Sequence, residues 1–225
     1  MALFTKVSMN TKVSDKISAV KQVLKAGKAD VLTLSPIWLP DDAIEQFVKL
    51  GIKHNPSLRI TVQEYWMPND EYEPVYPLQT KKKVDHNAHD LAKLRDATQR
   101  YAKDIEDHVK GINQRLGKDA VLIVPVGMAA VTLREKIIQG EAPGLKQQSE
   151  LFRDNWGHAN PPLQILSSYC HYAVIYRQSP VDLPVPQTFK LLKEMSDDDK
   201  AKLNTLLQQI AWDTVNTHPM SGIKK

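Results

Sequence analysis

Five consecutive apolar residues, Ala120-Val-Leu-Ile-Val124, end at Pro125 and limit what this chain can become. A strand with one wet face alternates apolar and polar residues. One that is apolar on every side belongs in the middle of a parallel sheet, covered by helices on both faces. The apolar stretch runs on to Val131 but contains Pro125 and Gly127. It falls well short of the roughly 20 residues that a membrane span needs, so no spanning helix is expected.

The rest of the chain supplies the helices such a strand requires. Residues 2–9 read as a short strand, and Ser14 caps a helix whose apolar positions Ile17, Val20, Val23 and Leu24 keep helical spacing up to Gly27. Val31–Ser35 and Arg59–Trp66 read as further strands. Between them Pro40, Asp41 and Asp42 open a helix with Ile44, Phe47 and Val48 on one face and its acidic residues at the positive end of the dipole. From about Asn87 to Leu116 apolar residues recur every third or fourth position, and Gly117 supplies a stop. Helices are expected near 128–139, 162–177 and 197–216, the last opened by Ser196-Asp-Asp-Asp199 in the manner of a capping box. Residues 67–85, with Pro68, Pro74 and Pro77, read as a long loop, and loops of that length are often functional.

Strands alternating with helices make an α/β fold with a mostly parallel sheet. In such sheets ligands bind beyond the carboxyl ends of the strands. Those ends lead here into Ser35-Pro-Ile-Trp38, Trp66-Met-Pro-Asn69-Asp70 and Val126-Gly-Met128. At 225 residues the chain can bury one full core. One domain is therefore expected over residues 1–186, with 187–225 as a helical extension whose Leu191, Leu203, Leu206, Leu207 and Ile210 need covering by the same domain.

Composition excludes several classes. A hydrophobic share of 42% with 25% charged residues argues against disordered and collagen-like chains. The net charge of +4 comes from scattered Lys and Arg, and the tight cluster Lys81-Lys82-Lys83 reads as a solvated loop, so no nucleic-acid partner is expected. The single cysteine, Cys170, forms no internal disulfide and sits in apolar helical surroundings that suit a buried thiol. The first residues contain no apolar stretch of signal-peptide length, and the compartment stays open.

The stretch Leu151-Phe-Arg-Asp154-Asn-Trp-Gly-His158-Ala-Asn-Pro-Pro, followed by a helix with Tyr169, His171, Tyr172 and Tyr176, carries the most chemistry. It resembles the last catalytic block of SGNH (GDSL-type) hydrolases. Asp30-Val-Leu-Thr-Leu-Ser35, Val62-Gln-Glu-Tyr-Trp66, Val124-Pro-Val-Gly127 and Ala211-Trp212-Asp-Thr-Val215 look like further segments of uncharacterised proteins of that type, in the same order. The resemblance implies a flavodoxin-like three-layer α/β fold, an ester substrate, carboxylic or carbohydrate, and no cofactor. It assigns Asp154 to orient the imidazole of His158, which takes the proton from a serine nucleophile.

The chain departs from the pattern in four ways. The family spaces its pair Asp-x-x-His, whereas here it is Asp-x-x-x-His; no Gly-Asp-Ser-Leu-like block precedes the first helix; no oxyanion glycine follows the first strand; and Ser35-Pro-Ile-Trp stands where a Gly-x-Asn is sought. An N-terminally truncated hydrolase, inactive or incomplete as written, is the expectation. A non-catalytic binding module on the same fold is the alternative.

Other residues have two readings each. Asp154 could cap a helix, with His158 a surface residue. Ser35, at a strand end, could be a displaced nucleophile or a hydroxyl satisfying a turn before Pro36. Asn10 or Asn69 could replace an oxyanion donor. Trp38, Trp66 and Trp156, all at the ligand edge, could stack on sugar rings or pack, and Asn69 joins them as a candidate substrate contact. Asp85-His86-Asn87-Ala88-His89-Asp90 contains His-x-x-His but no third ligand with convincing spacing, so a polar helix start is preferred and no metal is expected. His171 reads as a satisfied core histidine.

Overall fold

The chain is described by a computed structural model covering residues 14–68, 85–88 and 90–223. Six α-helices and three strands are found among the described residues in the order α1 (Ser14–Lys25), β1 (Val31–Leu34), α2 (Asp42–His54), β2 (Arg59–Gln63), α3 (Leu91–Leu116), β3 (Val121–Val124), α4 (Val126–Ile138), α5 (Pro161–Tyr176) and α6 (Asp197–Thr217). The strand read at residues 2–9, most of the 67–85 loop, Asn10, Asn69, the lysine cluster and His89 lie outside the described residues.

The helix ends follow local chemistry. Asp41 accepts a hydrogen bond from the Ala43 amide, Asp90 accepts from Ala92 and Lys93, and Ser196 accepts from Asp199, each satisfying amides that the first turn leaves unpaired. Gly117 closes α3 in the left-handed conformation at φ 67°, where a side chain would be strained. The stripe Leu94, Ala97, Tyr101, Ile105, Val109 and Ile112 on α3 is fully buried, as its spacing requires.

The sheet is parallel, in the order β1-β2-β3, with Leu34, Val62 and Ile123 in one row and Thr33, Thr61 and Leu122 in the next. The row of Leu34 packs into one core with α1, α2 and α3. On the opposite face α5 contacts β2 and β3 and is backed by α6, and Val124 joins a second core with Leu163, Leu166, Leu203, Leu207 and Phe189. The result is a three-strand parallel sheet between helical layers.

The sequence reading needs correction at α3, which starts at Leu91 behind the Asp90 cap and not near Asn87, so that Asp85 closes a turn over residues 85–88 instead of opening a helix. It also needs correction at the sheet. The Ala120–Val124 run is not a central strand: β3 is the edge strand of the described sheet. Residues that follow α6 cover its free edge, where the Ile123 amide donates to the Met220 carbonyl at 2.9 Å. Two-faced burial explains the apolar run, but it carries no information about lateral neighbours.

Two helices of one layer are also tied by charge. Arg115 of α3 grips Glu45 of α2 through both Nε and Nη2, at 3.0 and 2.7 Å to Oε2. The Arg115 hydrogen bonds, seconded by Lys49, hold the Glu45 carboxyl down from 4.5 to about 2. A depressed carboxyl contributes stability above its unfolded value and loses it as pH falls through the folded one. The urea midpoint should therefore drop between pH 4.5 and about 2, and Glu45→Gln should flatten that part of the profile. An identical acid limb in the variant would remove the ion pair from the account.

Candidate active site

The carboxyl end of β2 runs directly into Glu64-Tyr-Trp66-Met-Pro68, and against this segment sits the loop that carries Asp154 and His158. The Trp66 indole N–H donates to the Gly157 carbonyl at 2.9 Å. Phe152 and Ala159 bridge as an antiparallel pair, Arg153 N–H donates to the His158 carbonyl at 2.9 Å, and Gly157 N–H donates to the Asp154 carbonyl at 3.1 Å. This is a tight turn over 154–157 completed by a left-handed residue, Gly157 at φ 75°. The turn accommodates the Asp-x-x-x-His spacing, since it returns the chain so that the two side chains meet.

They meet closely. His158 Nδ1 lies 2.6 Å from Asp154 Oδ2, while Oδ1 accepts the amides of Trp156 and His158 at 3.0 and 3.1 Å. Desolvation pushes the Asp154 carboxyl up, but the hydrogen bonds from the His158 ring and amide outweigh it and hold the group below its ordinary value. An ionised carboxylate only accepts, so Nδ1 carries the proton, and in the neutral ring Nε2 keeps its lone pair. The His158 side chain is 58% exposed, which leaves that lone pair open to a small molecule. Asp154 thus caps a turn and orients an imidazole at once.

The remaining candidates separate. Ser35 follows β1, where its hydroxyl accepts from Gln63 Nε2 at 3.3 Å; Gln63 Oε1 in turn accepts from His171 Nε2 at 2.9 Å and from the Ser167 hydroxyl at 3.4 Å. His171 is therefore a satisfied, half-buried histidine. Trp66 is half-buried and spends its N–H on the site loop, Trp156 is half-exposed beside His158, and Trp38 is half-buried after β1. Cys170 is buried at the core, its thiol pushed up by desolvation and by the nearby Glu64 charge.

His86 is not placed as a metal ligand. It is buried, its ring nitrogens face the carbonyl oxygens of Pro68 at 3.1 Å and Asp154 at 3.0 Å, and it packs on Phe152 at 4.5 Å. Among the described residues no group of three or more His, Cys, Asp or Glu side chains could hold a metal ion.

Sequence reasoning missed two buried polar groups. Arg134 of α4, fully buried, donates to Gln148 Oε1 at 2.6 Å, to the Met67 carbonyl at 3.3 Å and to the His86 carbonyl at 3.1 Å. Glu64, with no exposure, has Oε1 3.5 Å from His218 Nε2, and that nitrogen lies 3.4 Å from Glu106 Oε1. The His218 Nδ1 accepts the Met220 amide, so the Nε2 proton lies between the two carboxylates. A signal for Glu64 was present: it has the same parity as Ile60 and Val62, the strand face that packs under α3.

A groove of about 230 Å³ lies at the other end of the sheet, lined by Arg59, Lys118, Leu122, Val174 and Arg177. It is at the amino ends of β2 and β3, away from His158. No helix among the described residues is long and apolar enough to cross a membrane. No protein family, curated protein or solved structure matches the chain.

Proposed function

We propose that this chain carries an SGNH-like, flavodoxin-like hydrolase domain for carboxylic or carbohydrate esters, in which the acid–base pair is assembled without a nucleophile attached to it. The observation that supports the reading is the 2.6 Å contact from His158 Nδ1 to Asp154 Oδ2, with Nε2 open to solvent. In an acyl transfer, Nε2 would take the proton of the attacking hydroxyl as the carbon–oxygen bond forms and return it to the leaving alcohol as the old ester bond breaks. Asp154 fixes the tautomer and stabilises the imidazolium between those steps. Trp156, exposed beside the pair, offers a face for a sugar ring. Residues 1–186 form the domain in this reading and 187–225 extend it; the packing of α6 on α5 supports an extension that lies on the same domain.

Asp and His without a nucleophile keep only part of the machinery, because such residues act as a unit. Ser35 accepts its hydrogen bond from Gln63, and among the described residues no serine hydroxyl bonds to His158. This favours a second reading, a module that binds esters without cleaving them.

The expected result is hydrolysis of an activated acetate ester no faster than by His158→Ala, with no labelling by a serine-directed fluorophosphonate. An acetylated sugar should still shift the ring resonances of His158 and Trp156 saturably. Labelling at Ser35 that vanishes in His158→Ala would make Ser35 the nucleophile, and unmoved resonances would remove the ester site.

A further inference from the structure

His86 is not a member of the pair, yet together with the Trp66 indole it ties the pair's loop to the segment that leaves the sheet. Its ring lies between two backbone segments. One is Trp66-Met-Pro68, which leaves the carboxyl end of β2; the other is the loop bearing Asp154 and His158. Nε2 is 3.0 Å from the Asp154 carbonyl and Nδ1 is 3.1 Å from the Pro68 carbonyl. The ring is buried and packs at a tilt against Phe152, which itself opens the site loop. Arg134 fixes the backbone of His86 from below by donating to its carbonyl at 3.1 Å, and the same guanidinium holds the Met67 carbonyl.

The Asp154 carbonyl that His86 meets also accepts the Gly157 amide and so closes the turn. Fixing it fixes the Cα from which the carboxylate projects. The carboxylate in turn sets the His158 ring. A contact as short as 2.6 Å tolerates little drift, because the strength of a charged hydrogen bond falls steeply with distance and angle.

We propose that His86 is a positioning residue for the Asp154–His158 pair: an Nε2–H of its ring clamps the Asp154 backbone to the segment that follows β2. The proposal rests on the reading of Asp154 and His158 as the working pair. Carbonyl oxygens only accept, so the contact to Asp154 is a bond only when Nε2 bears a proton; a neutral ring protonated there makes that bond, and an imidazolium makes both.

The chemistry separates this from a general packing role. A glutamine amide nitrogen reaches about where Nε2 stands, and an asparagine amide nitrogen about where Nδ1 stands, so the two amides can each satisfy one carbonyl. His86→Gln should restore the bond to Asp154. His86→Asn should keep only the bond to Pro68.

The reporter is the Nδ1 proton of His158, which a short bond to an ionised carboxylate shifts far downfield in a proton NMR spectrum. Wild type and His86→Gln should show this signal with similar exchange rates against water. In His86→Asn, exchange should quicken about tenfold or the signal should vanish, the factor expected for one lost hydrogen bond. Equal protection in both variants, or loss in both, would overturn the clamp. Should neither variant fold, a two-bond proton–nitrogen correlation on the wild-type imidazole decides: a protonated Nε2 on His86 supports the clamp and a bare one overturns it. None of these readings uses an ester. A silent ester titration with an intact His158 signal would count against the hydrolase reading alone.

Discussion

Replacing Arg134 with methionine should lower the unfolding free energy by about 3 kcal/mol, because three acceptors, two of them backbone carbonyls, lose a charged donor. Each buried acceptor left unpaired costs about 1–3 kcal/mol, while burying one cation fewer returns part of the sum. Methionine replaces most of the apolar stem, so a cavity adds little. For a chain of this length the melting midpoint should fall by about 6–12 °C. Lysine should recover little, since one ammonium cannot span Gln148, Met67 and His86 as a planar fork does. A methionine variant melting within about a degree of wild type would show that the three bonds contribute nothing net.

Gly157→Ala should disable the site loop while leaving most of the core folded. A Cβ at this position would stand 2.1 Å from Pro68 Cβ, and the backbone is held at φ 75°. The left-handed conformation alone costs a non-glycine residue about 1–2 kcal/mol. The overlap is worse, since real carbon atoms never approach so closely and Pro68 is a rigid, buried ring. The cheaper escape is for the exposed loop to lift off Pro68, which severs the Trp66–Gly157 bond and opens the turn that brings Asp154 to His158. Because local opening relieves the strain, global stability should fall by only about 1–3 kcal/mol. The downfield His158 proton should disappear and Trp66 fluorescence should shift to the red. Retention of both signals in a folded alanine variant would mean that Pro68 yields instead of the loop.

The loop illustrates why some of the site could be read in advance. Asp154 and His158 are four positions apart, joined by a turn whose Gly157 is visible in the chain, so their meeting depends on local backbone chemistry. Helices with a single apolar stripe, such as α3, are legible for the same reason: residues three and four apart share a face whatever lies opposite. The caps at Asp41 and Ser196 likewise act within three residues.

Other features join distant parts of the chain. His86 meets an atom 68 positions away, His171 meets Gln63 across 108, and Ser35 reaches Gln63 across 28. Their partners are chosen by where the helices land on the sheet, which no local spacing encodes. The Ser35 hydroxyl could be read as serving a turn or as a displaced nucleophile, and packing brought the Gln63 amide to it.

The same division runs through the fold. Alternation, periodicity and capping in the sequence determined the helices, the parallel strands and the two-faced burial of Val121–Val124, because each follows from the direction in which successive side chains point. Tertiary structure alone decided that this strand lies at the edge of the described sheet, that Met220 closes its free side, and that the buried Glu64 meets His218 and the partly exposed Glu106. Those outcomes depend on which surfaces meet once the helices pack, and a side chain's direction along its own element does not specify what it will face.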